Sequence, residues 1–218
     1  VKNYQQAVYI APNDNETWAN LGSAYLRIEK DNEAVNCYKK ALQLDPARWD
    51  LHILLGDCQH VLGRYKEAIL SYQKALHTKP SQAECHYKLG LAYQQIGQHH
   101  KAIKCFQQSL SIDDQDANVH SHLGMAHLLI GDFQNGWAEY EWRRKIDKYI
   151  RNFPQPQWSG NDLTGQTLLI YAEQGVGDTI QFSRFIPFLE RRNYSIIFEC
   201  QPTLKPLFEI WSSFTETE

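Results

Sequence analysis

Trp18-Ala19-Asn20-Leu21-Gly22 returns as His52-Ile53-Leu54-Leu55-Gly56, as His86-Tyr87-Lys88-Leu89-Gly90 and as His120-Ser121-His122-Leu123-Gly124, each copy 34 residues after the last. Working outward, the same spacing aligns Ala34, Ala68 and Ala102, then Tyr38, Tyr72 and Phe106, then Ala41, Ala75 and Ser109, then Pro46 and Pro80. A fixed period of this length, with Leu-Gly, an aromatic, two small residues and a closing proline, specifies a helix-turn-helix unit that stacks on copies of itself.

Each column has a physical task. A glycine inside a helix costs roughly 1 kcal/mol against alanine, so Gly22, Gly56, Gly90 and Gly124 are expected to allow a partner helix a close approach. The alanines of the second helix serve the same end, and the aromatics fill the space left between. Pro46 and Pro80 stop the second helix, because a proline ring cannot extend the hydrogen-bond ladder. Gly63, Gly97 and Gly131 fall at the turn inside each pair, where a left-handed C-cap is expected.

These residues resemble the tetratricopeptide repeat over about residues 1–150. The expected units are a partial repeat at 1–14, repeats at 15–48, 49–82 and 83–116, and a degenerate unit at 117–150. Tyr4, Ala7 and Pro12 fit the second half of an earlier unit, which leads to the expectation that the chain begins within a repeat. In the last unit Gly136 replaces alanine and Trp137, Tyr140 and Trp142 crowd the second helix, as a terminal repeat allows.

Bulk properties narrow the function classes. The chain has 218 residues, is 43% hydrophobic and carries a formal net charge of −3. That is room for one or two cores, with neither the basic footprint of a nucleic-acid binder nor an acidic tail. No apolar run reaches the roughly 20 residues that span a bilayer, so no membrane partner is expected. The five cysteines include no close pair and suggest buried thiols in a cytoplasmic protein. His52, His86 and His120 occupy the column that Trp18 opens, so packing accounts for them. His120 and His122 point to different helix faces, and neither a metal nor any other cofactor is expected.

The helical period stops between Tyr149 and Gly165. Phe153-Pro154-Gln155-Pro156-Gln157-Trp158-Ser159-Gly160 reads as an ordered connector (151–165) whose aromatics need a surface. Beside it Arg143, Arg144, Lys145, Lys148 and Arg151 read as a solvated or domain-facing helix side. Beyond it, Thr167–Ala172 is a nearly continuous apolar run, as in a parallel strand covered on both faces. A glycine-bearing loop, 173–178, leads to a helix from Thr179 with Ile180, Phe182, Phe185 and Ile186 apolar, which Pro187 kinks or ends. Ser195–Cys200 is a second strand, and Pro202 opens a second helix. The expected fold is therefore mainly α, an α-solenoid followed by a partial α/β Rossmann-like segment at 166–218. Two parallel strands cannot bury both faces, so the chain is expected to stop short of a complete α/β domain.

Gly175 and Gly177 can bring backbone N–H groups close to a ligand at a helix N-terminus. On residues alone, Asp178 is an ordinary N-cap. However, residues 136–143, Phe153–Gly160 and 173–187 resemble bacterial tetratricopeptide-repeat proteins that carry a glycosyltransferase-like domain of the two-Rossmann type. More distantly, Gly177-Asp178 with Pro187 is similar to the heptosyltransferase family. The resemblance implies that Asp178 is a candidate base towards an acceptor hydroxyl. It also implies that Gly175, Gly177, Gln174 and Thr179 shape the acceptor side, and that Arg184 meets an anionic group; a surface salt bridge is the alternative for Arg184. A nucleotide-sugar would be held by the second Rossmann half, so this chain alone is expected to be inactive.

The inner helices of such a solenoid usually bind peptide. Glu16, Asn20, Ser23, Arg27, Asp50, Asp57, His60, Glu84, Lys88, Gln94 and Ser121 are the expected groove residues, with Asn20, Arg27, Asp57 and Lys88 the leading candidates. Neither the lysine–asparagine clamp of chaperone-binding repeats nor a repeated asparagine ladder is present. Two readings result. One is part of a repeat-containing glycosyltransferase whose solenoid recruits a protein; the alternative is a non-catalytic interaction scaffold with a degenerate α/β cap.

Overall fold

The structure, a computed structural model, describes residues 1–146, 153–173 and 175–215. Its contacts divide into two compact units, 1–150 and 151–218. The first holds nine α-helices among its described residues: α1 (Lys2–Ile10), α2 (Asn15–Leu26), α3 (Asp31–Leu44), α4 (Trp49–Val61), α5 (Tyr65–Thr78), α6 (Ala83–Gln95), α7 (His99–Leu110), α8 (Ala117–Leu129) and α9 (Phe133–Tyr140). A 3-10 turn at Glu141–Lys145 follows. The pairs α2–α3, α4–α5, α6–α7 and α8–α9 form hairpins, and each hairpin packs on the next. The even helices also touch one another across repeats, α4 with α6 and α6 with α8. They therefore lie on the more tightly curved, inner side. Lys148, Arg151 and the rest of 147–152 fall outside the described residues.

Local chemistry sets the helix limits. Asp14 accepts the N–H groups of Glu16 and Thr17 at 3.3 and 3.2 Å, and Asp116 does the same for Asn118 and Val119 at 2.8 and 3.3 Å. α3 and α5 stop at Leu44 and Thr78, two residues before Pro46 and Pro80. At the turn inside the pairs, Gly63, Gly97 and Gly131 have φ of 72°, 73° and 84°, and Glu29 holds the same place in the first repeat at φ 57°. Each is followed by an N–H that reaches back to a carbonyl five residues earlier, such as Lys30 to Tyr25 at 3.0 Å and Arg64 to Gln59 at 2.8 Å. A left-handed conformation costs a side-chain-bearing residue roughly 1–2 kcal/mol. Replacing Glu29 by glycine is thus expected to raise stability by about 0.5–1 kcal/mol after glycine's own entropy loss. Urea unfolding of the two chains checks this.

The core is a continuous series of layers. Ala34, Tyr38 and Ala41 are 0% exposed, as are Ala68, Ala102 and Phe106. The glycine column works differently from the close helix approach expected in the first three repeats. A Cβ on Gly22, Gly56 or Gly90 would lie 2.8, 2.5 or 2.5 Å from the ring of Tyr38, Tyr72 or Phe106. These glycines make room for an aromatic ring rather than for a backbone. Only in the last repeat does the helix itself come close: a Cβ on Gly124 would meet the Tyr140 nitrogen at 2.5 Å and the Gly136 oxygen at 2.8 Å. The small residue at 136 allows this.

The Trp/His column has a polar task as well as a packing one. Trp18 Nε1–H donates to the Pro12 carbonyl at 2.9 Å. His52, His86 and His120 place Nε2 at 3.1, 2.9 and 3.0 Å from the carbonyls of Pro46, Pro80 and Asp114. In each case the acceptor is six residues upstream, in the turn that joins one repeat to the next. A carbonyl can only accept, so Nε2 carries the proton in these histidines. Tryptophan and histidine share the column because both supply a ring N–H at the same reach.

Burial pushes the His52 imidazole below its ordinary value, and the charge of Lys74 adds to this; burial does the same to His60. The folded chain therefore resists protonation at these sites while the unfolded chain accepts it. Their contribution to stability is present above pH 6.5 and is lost as pH falls towards the depressed folded values. The urea midpoint is expected to be flat from pH 8 to 7 and to drop below 6.5, with a weaker drop in His52→Trp. Burial also raises the thiols of Cys37, Cys58, Cys85 and Cys105 to about 11, 12, 12 and 11. They are protonated and unreactive at neutral pH.

The second unit contains β1 (Thr167–Tyr171), α10 (Val176–Ser183), α11 (Ile186–Glu190), β2 (Ser195–Glu199), a 3-10 turn at Pro202–Leu204 and α12 (Lys205–Thr215). β1 and β2 pair in parallel, Thr167 with Ser195 through Tyr171 with Glu199. The connector aromatics find partners here: Phe153 lies against Tyr171 at 5.2 Å, and Trp158 meets Tyr194 edge-on at 6.2 Å. Two sequence expectations change and one is sharpened. The helix begins at Val176 rather than Thr179. The regular helix ends at Ser183, whose carbonyl a proline at 187 cannot bond, and Pro187 itself sits in the first turn of α11, where its missing N–H costs nothing. The sheet is covered on one face only: Leu168, Ile170, Ile196 and Phe198 are partly buried, while Leu169 and Ile197 are 37% and 58% exposed. Two strands among the described residues are too few to define the Rossmann-like segment expected from the residue pattern.

Candidate functional site

The inner groove is built by one face of α2, α4, α6 and α8. Position 9 of each unit, Ser23, Asp57, Leu91 and Met125, lies fifteen residues before the aromatic column. Ser23 Oγ and Tyr38 Oη are 3.1 Å apart, and Tyr72 Oη donates to Asp57 Oδ1 at 2.8 Å. Where the ring is Phe106 and has no hydroxyl, the groove residue is Leu91. In the first three repeats the polarity of the groove thus follows the aromatic column, and the last repeat departs from it, with Met125 fifteen residues before Tyr140.

Asp57 is the centre of this network. Its second oxygen takes Lys88 Nζ at 2.7 Å, and Lys88 also reaches Glu84 Oε1 at 2.9 Å. Burial by itself would lower the Lys88 ammonium, but the bonds to Asp57 and Glu84 outweigh it and hold the group above its usual value. Burial, followed by the Asp57 charge, pushes the Tyr72 phenol up. One repeat earlier, Arg48 reaches Asp50 Oδ2 at 2.7 Å and Glu16 Oε1 at 2.6 Å. The bond to Arg48 holds the Asp50 carboxyl below its usual range. The acidic row of the groove is therefore largely answered by basic residues of neighbouring units.

Of the leading groove candidates, Asp57 and Lys88 are brought together. Asn20 and Arg27 are exposed on and at the end of α2. Towards α8 the groove becomes apolar. Met125 is 36% exposed and Leu129, one turn on, is 58% exposed. Gln94 Nε2 reaches Met125 Sδ at 3.5 Å from the neighbouring repeat. His122 packs with Tyr87 at 5.6 Å and Phe106 at 6.1 Å. It faces away from His120, whose ring stacks on Trp142 at 3.7 Å and bonds Glu139 through Nδ1.

The described candidates of the second unit gather at the start of α10, apart from Arg184 at its end. Asp178 is exposed in the first turn of α10, and the cap position belongs to Gly175. Asp178 is thus not the N-cap; a carboxylate there still suits the positive end of the helix. Thr179 is 8% exposed and its Oγ1 donates to the Gly175 carbonyl at 3.3 Å, so it turns inward. Gly175 and Gly177 are exposed, and a Cβ on Gly177 would meet nothing. Arg184 donates through Nε to the Gln181 carbonyl at 2.5 Å, which is neither an anion contact nor the salt bridge weighed for it. Gln174 lies outside the described residues. Arg143 and Arg144 bond Glu141 at 3.1 Å each, and Lys145 lies over Trp142 at 3.4 Å, so part of the basic cluster is internally paired. Among the described residues, no group of three or more His, Cys, Asp or Glu could hold a metal, and no helix is long and apolar enough to cross a membrane.

Stacked helical hairpins with an inner groove define a helical-repeat solenoid. Comparison with known proteins identifies the repeats. Residues 16–47 and 83–116 match the tetratricopeptide repeat family, and 60–97 match a further TPR repeat family. The repeats at 16–47 and 60–116 are tetratricopeptide repeats. Protein FlbA of Caulobacter vibrioides is 40% identical over 55 residues, 24% of this chain and 9% of that protein. The chain thus spans under a tenth of that relative's length. Among solved structures, a crystal structure of MamA is similar at 28% identity and a TM-score of 0.63, over 67% of this chain and 88% of that one. YrrB, described as a TPR protein with an unusual peptide-binding site, shares the fold at 20% identity and a TM-score of 0.60, over 67% and 76%.

Proposed function

We propose that this chain is an interaction scaffold whose inner groove, on α2, α4, α6 and α8, holds a segment of a partner protein. The observation that carries this is the division of the groove. The Tyr72–Asp57–Lys88–Glu84 network fixes polar groups in place at its middle, and exposed Leu129 with Met125 offers apolar contact at one end. A rigid polar anchor beside an apolar patch suits an extended peptide with apolar side chains at one end and hydrogen-bonding groups at the other. Asn20 and Arg27 extend the polar part. The unusual peptide-binding site described for YrrB is in keeping with this use of the fold.

Peptides selected on the full chain from a displayed library provide the test. Met125→Glu and Leu129→Glu place charge where the apolar end of the peptide lies, and both positions are solvent-facing, so folding is not affected. Each is expected to weaken binding by about tenfold or more, with an unchanged melting temperature. Equal affinity in both variants removes the groove assignment.

A second reading concerns residues 166–218 as the acceptor side of a glycosyltransferase-like domain in a cytoplasmic protein. It is supported by the β1–α10–β2 order, by the exposed Asp178 carboxylate and by the open space at Gly177, with Gly175, Thr179, Gln174 and Arg184 as its further residues. Asp178 would then be the base. Measured on a protein that includes the half holding the nucleotide-sugar, turnover that is unchanged in Asp178→Asn excludes that role. The comparisons favour the scaffold, since the family matches fall within residues 16–116.

A further inference from the structure

A cavity of about 610 Å³ opens between α3 and α5 over a floor of α4, on the side of the solenoid away from the groove. Leu42, Leu55 and Leu70 give it apolar walls, and Lys39 and Lys74 stand at its polar edge. Lys39 faces Glu67 at 3.9 Å, a distance that leaves little ion-pair energy.

One lining group carries an unanswered polar atom. His52 is 8% exposed and its Nε2–H is committed to Pro46, which leaves Nδ1 as a buried acceptor with no partner. In the last repeat the matching Nδ1, on His120, is met by Glu139. The residue in the Glu139 column here is Ser71, and its hydroxyl is committed to Gln59 Oε1 at 2.7 Å. The fold therefore answers this nitrogen in one repeat and leaves it without a partner in the repeat whose histidine lines a cavity. A buried polar atom without a partner is costly, and a ligand that donates to it removes the cost.

We propose that this cavity binds an N-acylated α-amino carboxylate with an apolar side chain: its N–H donates to His52 Nδ1, its carboxylate meets Lys74, and its side chain rests on Leu55 and Leu70. A simple fatty acid lacks the donor; of the charged lining groups Glu67 is faced by Lys39, which leaves Lys74 for the ligand carboxylate. A free N-acyl amino acid and the carboxyl end of a peptide share the required chemistry. This site is separate from the groove and does not depend on its occupant.

The full chain, with ¹⁵N-labelled histidine, is titrated with N-acetyl-leucine and with acetyl-Ala-Ala-Leu as the free acid and as the amide, following the His52 Nδ1 resonance. A saturable shift is expected with the acids. Lys74→Glu and Leu70→Glu, both on exposed side chains, should weaken binding by about tenfold or more. His52→Trp keeps the bond to Pro46 as Trp18 does for Pro12, but lacks the acceptor and should weaken it similarly. Tighter binding of the tripeptide acid supports a chain end, and equal binding of N-acetyl-leucine supports a free metabolite. No saturable shift with any probe, equal affinity for the amide, or undiminished binding in Lys74→Glu and Leu70→Glu would overturn the proposal.

Discussion

Phe106→Ala is expected to cost the solenoid about 3–5 kcal/mol, the range for removing a fully buried aromatic ring. Phe106 is 0% exposed and belongs to the cluster that runs from Ala68 and Tyr72 through Leu89 and Ala102 to Leu123. Its ring occupies the space that Gly90 leaves and lies 6.0 Å from Tyr87 and 6.1 Å from His122. The cavity would therefore open where two consecutive repeats meet, and helices held in a one-dimensional stack have few other contacts to compensate. Urea unfolding followed by circular dichroism reads the loss. A cost under about 1 kcal/mol would mean that the ring is not the wedge between α6 and α7.

Gly124→Ala is expected to be the most damaging of the single-methyl additions in the glycine column. Alanine gains up to about 1 kcal/mol of helix propensity over glycine. Against this, the new Cβ meets the backbone of α9 at 2.5 Å, and two helices must separate to admit it. Overpacking of this kind costs roughly 1–3 kcal/mol, so a net loss is expected, concentrated in the last repeat. Gly63→Ala has open space around it and pays only the left-handed backbone, about 1 kcal/mol. Hydrogen exchange separates the two: Gly124→Ala should loosen α8 and α9 while α2 to α5 stay protected. Equal protection throughout would contradict the close approach.

The solenoid was legible because its columns repeat. Four occurrences of Leu-Gly, with the aromatic and alanine columns at constant offset, determine both helix limits and core residues, and helices α2 to α8 fall where the period places them. The polar details were less so. That His52 is a latch to Pro46 rather than only a packed ring depends on a ring N–H meeting a carbonyl, and residue columns carry no direction for a hydrogen bond. The Asp57–Lys88 link joins residues 31 apart, in different repeats, and emerges only once α4 and α6 lie side by side. In the second unit the apolar run at 167–172 signalled a strand, but the number of strands beside it is a tertiary property. Asp178 was read as a cap from its neighbours, yet the helix begins earlier because Val176 and Gly177 continue the helical turn.

The central claim is that binding belongs to the inner faces of the even helices. Amide-shift mapping of a library-selected peptide on the ¹⁵N-labelled chain tests it most directly. Perturbations are expected at Asn20, Asp57, Lys88, Leu91 and Met125, with residues 173–187 silent. Shifts confined to residues 173–187, with the even helices unchanged, would contradict it.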